Sequence, residues 1–97
     1  MKEDEFRASL SNAVPPTNAS PALCALWWQR NGNWARAHSI AQSDSGEDTA
    51  WAHALLHREE GDLANAAYWY RRAKQELSSI PVNEEWDQIV SKICGTP

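Results

Sequence analysis

The sequence predicts an all-α fold: about five helices, paired as antiparallel hairpins and stacked into a short array. Three observations predict it. Apolar residues recur at helical spacing, and no stretch alternates as a half-buried strand does. Residues that start and end helices punctuate the chain, above all Ser20-Pro21, Gly32-Asn33 and Gly61-Asp62. The Gly-Asn turn at 32–33 returns as Gly-Asp at 61–62, a period of 29 residues.

Taken in order, residues 2–13 predict a short helix with Phe6, Leu10 and Ala13 on one face. Glu3, Asp4 and Glu5 suit its N-terminus, where negative charge opposes the helix dipole. Val14-Pro15-Pro16 breaks it. Ser20 is a good N-cap and Pro21 a good first residue for a second helix, running to about Asn31. Ala22 to Trp28 is apolar almost all round, which predicts that this helix is the buried centre. A third helix spans Trp34 to about Gln42, with Trp34, Ala37, Ile40 and Ala41 inward. Ser43-Asp44-Ser45-Gly46 is a loop.

The stretch from Trp51 to Ala73 reads as the central hairpin. Gly61 suits a left-handed helix end, having no Cβ to clash. Asp62 suits an N-cap, accepting from the free N–H groups of Ala64 and Asn65. The helix after it places Leu63, Ala66, Ala67, Tyr70, Ala73 and Leu77 on one side and ends before Pro81. A last helix over Asn83 to Ile93 turns Trp86, Ile89, Val90 and Ile93 inward. The division is therefore one domain, 1–97: an N-terminal helix and Pro-rich linker (1–19), two degenerate hairpins (20–80) and a C-terminal capping helix (82–95). The first and last helices are expected to cover the two ends of the stack.

Sliding the chain by one period lays Leu26 on Leu55, Trp34 on Leu63 and Ala37 on Ala66. Ala41 falls on Tyr70, so the two copies diverge there. Gly61-Asp62, Ala66, Tyr70 and Ala73 resemble the Gly-Asp, Ala, aromatic and Ala positions of the tetratricopeptide repeat. The period is shorter than that family's roughly 34 residues, and its first-helix Trp and Leu-Gly positions are missing. The string from His53 through His57-Arg58, Glu60-Gly61-Asp62, Asn65 and Tyr68-Trp69 also resembles one in a group of short uncharacterised microbial proteins. The tetratricopeptide likeness implies binding of a protein or peptide in a groove.

Six tryptophans in 97 residues supply large buried area and indole N–H groups that need partners. The net charge of −4, with no basic block, argues against nucleic acid and anionic membrane as partners. The longest apolar run is far too short to span a bilayer. The N-terminal MKEDEFR is neither a signal nor a transit peptide, and two cysteines make no disulfide framework, so a cytoplasmic protein is expected.

His53 and His57 stand four apart on one helix face, a spacing that lets two imidazoles share a metal ion. His38 or Glu60 would be a third ligand. Position 54 is alanine, so the His-Glu-x-x-His protease pattern is absent. The plainer reading has both histidines bridging helices through backbone carbonyls, Glu59 or Glu60. Arg58, Arg71 or Arg72 is expected to pair with those glutamates. His57, Glu60, Asp62, Tyr68 and Arg72 are acid–base types, but no nucleophile motif or phosphate loop accompanies them.

Tyr68, Trp69 and Arg72 have the composition of an interface hot spot, and Asn65 is a candidate to orient a histidine. The expected function is thus a non-catalytic protein or peptide interaction module, self-association included, needing no cofactor. Its groove residues are His53, His57, Asn65, Tyr68, Trp69 and Arg72. The alternative is a small metal-binding protein or enzyme that uses His53 and His57.

Overall fold

The computed structural model describes residues 1–95 and is all-helical, with no strand among them. Six helices follow one another: α1 (Glu3–Ser9), α2 (Pro21–Arg30), α3 (Trp34–Gln42), α4 (Glu47–Glu60), α5 (Leu63–Ala73) and α6 (Val82–Cys94). Among the described residues, no helix is long and apolar enough to cross a membrane.

The two hairpins, α2–α3 and α4–α5, share one turn chemistry. Gly32 and Gly61 take left-handed φ values of 83° and 87°. After each, the capping N–H reaches back to the preceding helix: Asn33 to the Trp28 carbonyl and Asp62 to the His57 carbonyl, both at 2.9 Å. The side chains of Asn33 and Asp62 then accept from the N–H groups of Arg36 and Asn65. The 29-residue period is therefore a repeat of structure as well as of letters. Ala37 and Ala66, matched by it, are both buried and let the paired helices approach.

Helix α4, rather than α2, is the central one. It packs against α2, α3, α5 and α6. Its alanines at 50, 52 and 54 are small enough to admit neighbours on several sides, and His53 and His57 are buried with them. The polar letters on α4 conceal this. Helix α6 lies against both α4 and α2, with Trp86, Ile89 and Val90 inward, and α1 closes over it through Phe6, stacked on Trp86 at 5.9 Å. Helix α6 thus bridges the first helices of both hairpins, and α1 lies outermost on α6.

Helix α5 packs chiefly on α4, and Tyr70 reaches Glu85 on α6. It has one covered stripe, formed by Ala66, Tyr70 and Ala73, with Trp69 half-buried beside it. The stripe is rotated away from Leu63, which is 66% exposed. The helix stops at Ala73, where Lys74 adopts a left-handed φ of 58°. Leu77 lies beyond the helix and is exposed. Helix α1 likewise ends early, which leaves Ala13 exposed.

A buried carboxylate ties α4, α5 and α6 together. Glu85 is 1% exposed, and accepts from Arg58 at 2.6 Å, Trp51 Nε1 at 3.0 Å and the Tyr70 hydroxyl at 2.6 Å. Arg58 also donates to the Ile80 carbonyl, which anchors the segment between α5 and α6. Burial, then the neighbouring carboxylate, pushes the Tyr70 phenol well above its usual range, so it stays a donor. Arg58 thus pairs with Glu85 and not with the glutamates at the end of α4; Glu59 accepts instead from Gln29, at 2.9 Å.

Candidate metal centre

On α4, His53 and His57 project from one face because four residues make about one turn. Helix α3 packs along that face and adds His38. One ligand atom from each of the three histidines lies within 4.8 Å of the others. The rings form a tight group: His53 and His57 are 4.8 Å apart and nearly stacked. His38 stands edge-on to both, at 4.8 and 5.0 Å.

Two indoles wall the group. Trp69, from α5, lies flat on His53 at 3.9 Å with an interplanar angle of 16°. Trp34, one turn before His38, lies flat on that ring at 4.7 Å and 11°. The Trp34 N–H donates to the Leu56 carbonyl at 2.9 Å, which pins α3 to α4 beside the histidines. The rotation of α5 away from Leu63 is what brings Trp69 here.

The polar balance of the group is uneven. His57 is 5% exposed, and its Nδ1 lies 2.6 Å from Oε1 of Glu60. A carboxylate only accepts, so Nδ1–H is the donor in this bond. His53 is 1% exposed, and neither of its ring nitrogens has a hydrogen-bond partner among the described residues. Leaving a buried polar atom unpaired costs about 1–3 kcal/mol. Burial, reinforced by the neighbouring His57 and His38, pushes the His53 imidazole down to about 4. His38 is half-buried and is lowered by burial first and by His57 second. At neutral pH both are therefore uncharged, the form in which imidazole binds a metal.

The remaining candidate residues are placed as follows. Glu60 is the hydrogen-bond partner of His57, so His38 is the third imidazole and Glu60 its support. Asn65 is half-buried and bonds through its Nδ2 to Asp62 at 3.4 Å, not to a histidine. Tyr68 is 43% exposed and accepts from Arg72 at 2.9 Å on the outer side of α5. Trp69 is the roof of His53. The sequence reading missed Trp34 as a wall; its spacing of four from His38 was the available signal.

A tetrahedral ion bound at about 2.0–2.1 Å holds its nitrogens roughly 3.3 Å apart. The three imidazoles offer ligand atoms within 4.8 Å of one another. Compared with protein-family models, with curated proteins and with solved structures, the chain matches none.

Proposed function

We propose that this is a small metal-binding helical protein that holds one divalent transition-metal ion on His38, His53 and His57. The observation that carries this reading is His53, a buried neutral imidazole with two unpaired nitrogens beside two further imidazoles. A native fold seldom leaves such a group without a partner. A metal ion would give one of its two nitrogens a partner. The Glu60–His57 bond supports the same reading, because ligating histidines commonly give their second N–H to a carboxylate. An all-imidazole donor set suits zinc, copper, nickel or iron and not magnesium or calcium. The half-buried free thiols Cys24 and Cys94 accord with a reducing, cytoplasmic compartment.

The test is elemental analysis of untagged protein purified without added metal, beside a His53→Ala/His57→Ala variant. Near-stoichiometric metal in the parent and none in the folded variant is the expected result. Metal in neither, even after incubation with Zn²⁺, removes the reading.

A second reading, an interaction module related in design to tetratricopeptide hairpins, draws on the outer side of α5. That helix leaves Leu63 and the Tyr68–Arg72 pair exposed. It predicts partner binding that survives chelators and weakens in Tyr68→Ala.

A further inference from the structure

We infer that the ion held by His38, His53 and His57 keeps one exchangeable coordination position, open to water, hydroxide or a small anion. This inference rests on the metal-binding reading above and adds what the centre does with its ion. Zinc and cobalt in such sites take at least four ligands: structural sites fill all four from the protein, whereas reactive ones leave one open.

Among the described residues, no fourth His, Cys, Asp or Glu brings a ligand atom within 4.8 Å of all three imidazoles. The groups that do surround them cannot fill the position. Trp69 and Trp34 present ring faces to His53 and His38. An indole has no lone pair to give, and the Trp34 N–H is already spent on the Leu56 carbonyl.

Glu60 is the nearest carboxylate, but it is bonded to Nδ1 of His57. The two nitrogens of an imidazole point to opposite sides of the ring. With the ion about 2 Å from Nε2, a carboxylate on Nδ1 stands roughly 6 Å from it. Asp62 groups with Glu60 and His57, not with His38 and His53.

Access and charge point the same way. His53 and His57 are enclosed, whereas His38 is half-buried, so the route from solvent runs past His38. Three neutral imidazoles leave the ion's double positive charge unneutralised at the centre. An anion is therefore favoured over a neutral ligand in the fourth position, and bound water loses a proton readily there.

The experiment replaces the ion with Co²⁺, whose visible bands report coordination, and uses azide as the small anion. One equivalent of Co²⁺ is added to metal-free parent protein and to Glu60→Gln, and each is titrated with azide. The expected result is an intense four-coordinate spectrum that azide shifts saturably, one azide per cobalt, in both proteins. A spectrum that saturating azide leaves unchanged in the parent shows a closed site and overturns the inference while the metal reading stands. A response confined to Glu60→Gln shows that Glu60 occupies the position, and overturns it equally. Failure of Co²⁺ and Zn²⁺ alike to bind the parent overturns the metal reading, and this inference with it.

Discussion

Helix α4 carries two buried polar clusters on different faces, and they are built in opposite ways. On one face, Trp51 and Arg58 meet Glu85, and with Tyr70 they leave its carboxylate surrounded by donors. On the other, His53 and His57 meet His38 between two indoles, and His53 has no partner at all. The first cluster joins three helices, and each charge in it is matched. The second joins helices just as closely, through Trp34 and Trp69, yet leaves a buried imidazole unpaired. A satisfied buried network holds a fold in register; an unsatisfied one costs stability.

The largest expected effect lies in the satisfied cluster. Glu85→Ala strips the partner from a largely buried Arg58 and from two further donors. Chemical denaturation should show a loss of roughly 3–5 kcal/mol. If the loss is below about 1 kcal/mol, the cluster does not organise the three helices.

Acid separates the clusters next. Unfolded, His53 titrates near the ordinary 6.5; folded, it is held at about 4. Between those values the unfolded chain binds a proton that the folded chain does not. Its contribution is thus complete above about pH 6.5, and stability falls as pH drops towards 4, by about 3 kcal/mol. Urea titrations of metal-free protein at pH 7 and pH 4.5 measure this, and a His53→Leu variant should flatten the difference.

Glu60→Ala probes the support of the centre. Removing the carboxylate on His57 should weaken Zn²⁺ binding about 10- to 100-fold with little change in melting of the metal-free protein. Calorimetric titration measures it; unchanged affinity would mean that Glu60 is only a surface neighbour. The smallest effect belongs to the turn shared by both hairpins: Asp62→Ala should cost about 1 kcal/mol through the lost cap on Asn65.

Much of the fold was legible in the chain, for local reasons. Ser20-Pro21, Gly32-Asn33 and Gly61-Asp62 act within one turn of themselves, so the helix boundaries they set stand where the residues predict. What depends on neighbours was not legible. Lys74 ends α5 in a left-handed conformation that its side chain gives no reason to expect. The rotation of α5 follows from its packing on α4 and the Tyr70–Glu85 bond to α6, and it leaves Leu63 out and Trp69 in. Small alanines make α4 the centre although its letters are more polar than those of α2.

The site was half legible. The i, i+4 spacing of His53 and His57 is local, and it put the pair on one helix face with His38 or Glu60 as candidates to join them. The choice between those two needed the packing of α3 on α4. The burial of both α4 histidines needed α5 as well. Glu85, on a helix with an otherwise ordinary amphipathic pattern, carried no local sign that Arg58, Trp51 and Tyr70 would converge on it.

The most direct test of the contrast is thermal melting of metal-free parent and His53→Leu, each with and without Zn²⁺. Leucine fills a similar volume and removes two unpaired nitrogens. The metal-free variant should therefore melt above the metal-free parent, by roughly 4–8 °C for about 1 kcal/mol. Zn²⁺ at 100 times its Kd should add about 2.7 kcal/mol to the parent and nothing to the variant. A variant that melts below the parent, with Zn²⁺ shifting neither protein, would contradict the account and make His53 an ordinary part of the core.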